Sequence, residues 1–236
     1  GTFTIRHMGL LQFLEFYAYD FFILRQPKAA TSDPIVIVEM TEADIHSPLL
    51  DYPIHDDKLA EVLLALEAGQ PAVIGLDIWR DIPVPKSGVG IHKFNQVLQS
   101  YSNIVAIFTL GDSEKAPIPP PSLLRSNVDR IAFNDNFITD QQVDPTTPKT
   151  RPSALFVNSP ERGNFDSLPF RLALSYLEKR GIQMEANPEN PKGFQLGKAR
   201  LQPLEPNDGA YVGAATGEFQ IMLDFKCPDR FARYSV

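Results

Sequence analysis

Three short apolar runs, interleaved with two helix-patterned stretches, set the tightest limit on what this chain can fold into. Ile35-Val36-Ile37-Val38, Ala72–Ile78 and Ile104–Leu110 are rich in apolar and β-branched residues, the pattern of strands covered on both faces. After the first run, His55-Asp56-Asp57 places acids where a helix start is positive. Leu59, Val62, Leu63 and Leu66 then recur at helical spacing, and Gly69 suits the helix end. After the second run, a loop with Pro83, Pro85, Gly88 and Gly90 leads to a further helix whose face is Phe94, Val97, Leu98 and Tyr101. Strand, helix, strand, helix, strand forces crossovers. These runs therefore predict one parallel sheet with right-handed connections.

The flanks read differently. Leu10, Phe13, Leu14, Tyr17, Phe21 and Leu24 form a helical stripe, ended by Gln26-Pro27. The stripe reads as a core-packing face; the sharper reading is the continuation of a preceding membrane helix that carries motion. Pro117, Pro119, Pro120 and Pro121 make a stiff loop, and Ile131-Ala132-Phe133 and Ala154–Val157 read as strands. Ser167 caps a helix with Pro169 in its first turn and the face Phe170, Ala173, Leu174 and Leu177. Residues 139–152 form an exposed loop. Towards the end, Phe194–Leu204 is an extended strand or hairpin arm, and Glu205–Gly209 is a turn. Phe219, Ile221, Leu223 and Phe225 alternate, which predicts a strand with one buried face. The expected fold class is α/β: a mostly parallel central sheet with helices on both faces, an N-terminal amphipathic helix and a β-rich C-terminal extension.

Composition narrows the function classes. With 236 residues, 43% hydrophobic, the chain can bury a sizeable core, so disorder is excluded. A formal charge of -7 argues against nucleic acid as a partner through bulk charge. The single cysteine, Cys227, excludes an internal disulfide and reads as an inert thiol. Met8–Leu24 is the best candidate membrane span. It falls short of the roughly 20 apolar residues required, and it carries Gln12, Glu15 and Asp20. No signal peptide is visible, and the chain reads as a fragment of a longer protein.

Enzyme templates fail. There is no phosphate loop, no dinucleotide fingerprint and no nucleophile elbow. His7, His46, His55 and His92 show no metal-ligand spacing, so no catalytic residue, metal or cofactor is assigned. Open parallel sheets bind ligands beyond the carboxyl ends of their strands. Glu42, Asp77 and Arg80-Asp81 fall there. Glu42 and Asp77 at neighbouring strand ends would suit a magnesium-dependent phosphate-ester hydrolase. The plainer reading is that Glu42 caps a loop and Asp77 pairs with Arg80 or with backbone amides.

Leu14-Glu15, Tyr19-Asp20 and Leu24-Arg25, followed by Ile35-Val36-Ile37-Val38 with Thr41-Glu42, resemble the opening and first strand of the CHASE type 2 family, the sensory extracellular domains associated with cyclases and histidine kinases. Thr41-Glu42 stands where the family has an acidic pair, with Thr41 replacing the aspartate. Asp51-Tyr52-Pro53-Ile54 resembles its aromatic-proline turn, and Val73–Ile78 with Arg80–Val84 its second strand and sequel. Ala132-Phe133-Asn134-Asp135, Leu172–Glu178, Asn207–Tyr211, Leu223–Lys226 and Phe231–Ser235 follow in family order. Asp140–Pro145 departs from the family's Asp-x-Asp-Gly-Val-x-Arg, so no role is carried over to that loop.

The resemblance implies one extracytoplasmic sensor domain of a cell-membrane receptor over 1–236. It would comprise a membrane-proximal helix (1–27), an α/β core (33–182) and a β-rich extension (190–236). It further implies flanking transmembrane helices, termini meeting at the membrane side, an unknown small-molecule or environmental ligand, and a cytoplasmic cyclase or kinase output working as a homodimer. The crevice expected to bind ligand is Glu42, Asp77, Arg80, Asn134 and Asp135. The remaining alternative is a structural dimerisation module without a small ligand.

Overall fold

The computed structural model describes residues 9–27, 34–47, 52–135, 150–159, 163–225 and 231–236. His7, Cys227 and residues 139–149 of the expected 139–152 loop lie outside them; the end of that stretch is not exposed, since Arg151 and Pro152 are buried and a strand starts at Pro152. In chain order the elements are α1 (Gln12–Leu24), β1 (Val36–Glu39), α2 (Glu42–Ile45), α3 (Asp56–Glu67), β2 (Ile74–Leu76), α4 (Ile91–Ser100), β3 (Ile104–Phe108), β4 (Ile131–Phe133), β5 (Pro152–Ser159), β6 (Gly163–Asp166), α5 (Leu168–Glu178), β7 (Met184–Ala186), β8 (Phe194–Leu196), β9 (Ala199–Leu201), β10 (Phe219–Met222) and β11 (Ala232–Ser235). They form two compact units. The first is Gly1–Pro34, Asn136–Asn158 and Met184–Phe231; the second is Ile35–Asp135, Ser159–Gln183 and Ala232–Val236.

The second unit holds a parallel sheet in the order β2-β3-β4, with Ile74 opposite Ile104 and Ala106 opposite Ile131. Every residue of β3 is buried, as its unbroken apolar run requires. Leu168 of α5 packs on Val105, Ile107 and Ala132, with Leu172 and Val73 beside them. A Cβ on Gly75 would sit 2.6 Å from Leu172, so α5 approaches β2 closely because Gly75 has no side chain. At the start of α4, Gly90 has φ 90°, and its missing Cβ would lie 2.7 Å from the Asp57 backbone nitrogen. Only glycine meets both demands where α4 crosses the start of α3. At the other end of α4, Arg130 donates to the carbonyls of Leu98 (2.8 Å), Tyr101 (2.8 Å) and Ile104 (3.1 Å). It thereby satisfies acceptors that a helix end and a strand start leave open.

The expected sheet needs correction at its first strand. β1 does not join β2. It pairs in parallel with β11, in a separate two-stranded sheet with Val36 opposite Ala232 and Glu39 opposite Ser235. Ile35, Val36 and Val38 are consequently exposed rather than sandwiched. The architecture is mixed helix and strand with small, partly antiparallel sheets, not one large parallel sheet. The predicted face of α5 is also modified. Phe170 and Leu174 are buried, but so is Arg171, which reaches Glu178 (3.0 Å) and Asp166 (3.3 Å).

In the first unit β10 pairs antiparallel with β5, and β7-β8-β9 form an antiparallel meander. The 194–204 stretch is a hairpin turning at Gly197, whose φ is 58°. Phe156 and Phe219 stack at 4.8 Å, with Phe194 4.9 Å from Phe219, so one aromatic cluster joins the two sheets. The alternation predicted at 219–225 fails. Gln220 is the buried residue of β10 while Phe225 is exposed, because the register shifts between Phe219 and Gln220.

The α1 stripe also faces the other way. Leu10, Phe13, Leu14, Tyr17, Phe21 and Leu24 are exposed, Leu24 at 85%, whereas Phe16 is 3% exposed. Phe16 meets Tyr211 edge-on at 4.8 Å. Asp20 accepts two hydrogen bonds from Arg151, both 2.9 Å, and Tyr19 donates to the Leu223 carbonyl at 2.9 Å. The helix is apolar nearly all round, so its polar partners, not its richest stripe, choose the inward face.

The β1–β11 ladder continues into α2. Thr41 and Asp44 form a capping box, and Asp44 accepts from Thr41 N and Oγ1 (each 2.7 Å) and from Ser235 Oγ (2.8 and 2.9 Å). Hydrogen bonds from Thr41, then from Ser235, hold the Asp44 carboxyl below the usual aspartate range. A depressed folded-state value contributes stability above the unfolded value, about 3.9, and that contribution is lost as pH falls through the lower folded value. The Val236 amide, which donates to the Glu39 carbonyl at 3.2 Å, reports on this end of the ladder. Its hydrogen-exchange protection should hold above pH ~4 and fall below it. Protection independent of pH down to ~3 would refute the assignment.

Candidate functional site

The strand-end rim of the β2-β3-β4 sheet brings some of the expected residues together. β2 and β4 flank β3, so their ends stand about 10 Å apart. Asn134, just past β4, spans that gap and donates to Asp77 Oδ1 at 2.7 Å. The Asn134 backbone amide donates to the Phe108 carbonyl (3.1 Å), and Asp135 Oδ2 accepts from the Leu110 amide (2.8 Å). Asn134 and Asp135 thus stitch the ends of the three strands into one polar edge. Asp77 is exposed there, and Trp79 follows it with 52% of its surface exposed.

Arg80 does not share that edge chemistry. Its guanidinium donates to the Ile54 and Trp79 carbonyls, and its Nε lies 3.1 Å from Asp56 Oδ1. That last contact is ionic rather than a directed hydrogen bond. The two side chains are 5% and 0% exposed. Asp56 also accepts from the Val84 amide (3.0 Å) and its own amide donates to the Val84 carbonyl (2.7 Å). Burial pushes the Asp56 carboxyl up, opposed by the Val84 amide and by Arg80, and burial lowers Arg80. Arg80 therefore closes the start of α3 onto the 80–84 segment. Asp77 takes Asn134 as its partner instead of Arg80.

Glu42 lies apart in the topology. It sits in the single-turn helix after β1, is exposed, and has His46 3.6 Å away. Because β1 and β2 belong to different sheets, the premise for a magnesium ion between Glu42 and Asp77 is removed. Among the described residues, no group of three or more His, Cys, Asp or Glu side chains is placed to hold a metal ion. Sequence reasoning also passed over a cleft in the first unit, where Glu15 and Tyr19 of α1 face Asp208 and Met222. Its visible signals were the 205–209 turn and two polar residues one helical turn apart.

The CHASE2 domain family model matches residues 1–236. The chain belongs to the CHASE2 domain family. That family consists of extracellular sensory domains, which fits a sensor role and an extracytoplasmic location. No curated protein and no solved structure matches the chain. Among its described residues, no helix is long and apolar enough to cross a membrane.

The division of labour at the rim of this CHASE2 domain is testable by equilibrium denaturation. Arg80→Ala leaves the Asp56 charge buried alone and should cost about 3–5 kcal/mol. Asp77→Asn, at an exposed bond, should cost about 1 kcal/mol or less. Comparable costs for the two would contradict the assignment.

Proposed function

We propose that this chain is the extracytoplasmic ligand-sensing domain of a transmembrane receptor that drives a cytoplasmic output, a nucleotide cyclase, a histidine kinase or a Ser/Thr kinase. The observation that carries this reading is the CHASE2 match along residues 1–236. Both compact units then belong to one sensor domain, with membrane helices on either side of it in the full-length protein, and the receptor works as a homodimer. A ligand favouring one arrangement of α1 and β11 shifts the populations of two receptor states. The edge formed by Asp77, Asn134 and Asp135, with Trp79 beside it, is a recognition surface for a small polar ligand. Arg80 anchors the segment that follows that edge.

Location is the first thing to test. In the full-length protein, with Cys227 replaced by Ser, a cysteine at Val128, which is 58% exposed, should react with a membrane-impermeant maleimide in intact cells. Reaction only after lysis would place the domain inside and defeat the proposal.

A further inference from the structure

Leu10, Leu14, Tyr17, Phe21 and Leu24 follow one another at intervals of four, three, four and three. That is a heptad seam two repeats long, with Leu10, Tyr17 and Leu24 at its d positions and Leu14 and Phe21 at its a positions. An ideal helix drifts only about 20° per heptad against such a repeat, so α1 keeps all five on one stripe. All five are exposed, by 41–85% of their surface. The stripe lies across the helix from the side that its own domain covers. Phe16 and Tyr19 turn to that covered side, towards the Tyr211 ring and the Leu223 carbonyl, and Arg151 holds Asp20 at the flank.

We infer that this seam pairs with the same seam of a second copy of the chain, in parallel and in register. The pattern itself selects that occupant, because a heptad repeat is complementary to another like it. The flanking e and g positions are Leu11, Phe13, Ala18, Asp20 and Arg25. The charges among them are opposite in sign, so a parallel pair sets no like charges side by side. A lipid surface fits worse. An interfacial helix carries Lys and Arg on its polar face, whereas Gln12–Leu24 holds two acids and no base. The area is sufficient. At about 200 Å² for a whole aromatic side chain, the exposed parts of Phe13, Tyr17 and Phe21 amount to on the order of 350 Å². The three leucines add a comparable amount, which brings the total near the roughly 800 Å² per partner of a stable interface. Two heptads are too short to hold an isolated helix, but α1 is already fixed by its own domain, so pairing imposes little new ordering. The parallel sense rests on the receptor reading, which puts both copies in one membrane; the exposed seam does not.

The test is oxidative crosslinking of the full-length protein in opened membranes, with Cys227 replaced by Ser and each variant judged against that parent. Leu14→Cys and Leu24→Cys should each give a disulfide-linked dimer. Phe22→Cys, exposed but off the seam, should give at least tenfold less. Leu14→Glu, which sets two carboxylates against each other in the seam, should lower crosslinking through Leu24→Cys about tenfold. These three positions are exposed, so the substitutions spare the core of the domain. Equal crosslinking at Phe22→Cys, crosslinking indifferent to Leu14→Glu, or no dimer through the seam would each overturn the inference. In the last case, a Leu24→Cys thiol shielded from membrane-impermeant maleimide would give the face to lipid or to another protein, and a reactive one would leave it in water. Labelling at Val128 in intact cells still judges the location of the domain, so failure of the seam and failure of the sensor reading are told apart.

Discussion

Parallel pairing of β1 with β11 is the constraint on which the second unit depends. Glu39 and Arg233, which meet at 2.8 Å across this ladder, are 194 positions apart in the chain. The ladder therefore joins strands from opposite ends of the sequence. The ladder takes the first apolar run away from the central sheet and leaves β2 as an edge. α5 packs on a face of that sheet, and its approach to β2 is close because Gly75 presents no side chain to Leu172. A two-stranded sheet is marginal alone. Here Ser235 and Thr41 add hydrogen bonds to Asp44 at its end, so backbone pairing and a helix cap reinforce each other.

Much of this was legible in the sequence. β2, β3 and β4 appeared as apolar runs, and the helices α3, α4 and α5 as periodic faces, because their residues meet neighbours that periodicity describes. The partner of β1 was not legible, since a strand run records burial but not which distant strand supplies it. The facing of α1 was hidden by excess: with apolar residues nearly all round, the stripe pattern could not rank the sides, and Asp20, Tyr19 and Phe16 decided it. The one-turn helix α2 was readable from Thr41-x-x-Asp44, a capping-box spacing. Gln220 was unreadable, because a bulge inverts the alternation on which the reading relied.

The site divides along similar lines. Charge near a strand end was visible from sequence, but its role follows from burial. Arg80 and Asp56 are sealed from solvent and hold the backbone, while Asp77 stands exposed beside Trp79 and is held by Asn134. Asn134 and Asp135 were found through a family motif, and their geometry gives that motif a physical reason: each ties together strand ends that would otherwise fray. The acidic cleft of the first unit belongs to no motif. It arises where a helix, a turn and a strand edge converge, which only the folded chain displays.

A domain that relays a signal must influence what lies across the membrane. On the receptor reading proposed above, the most direct measurement is the cytoplasmic output of the full-length protein in native membranes, compared between the wild type and the Arg80→Ala variant at a temperature where limited proteolysis shows the variant's domain unfolded and the wild type's folded. The account predicts that the output of the variant departs several-fold from that of the wild type, in either direction, while the protein remains in the membrane. An output unchanged by loss of the folded domain would contradict the sensor assignment.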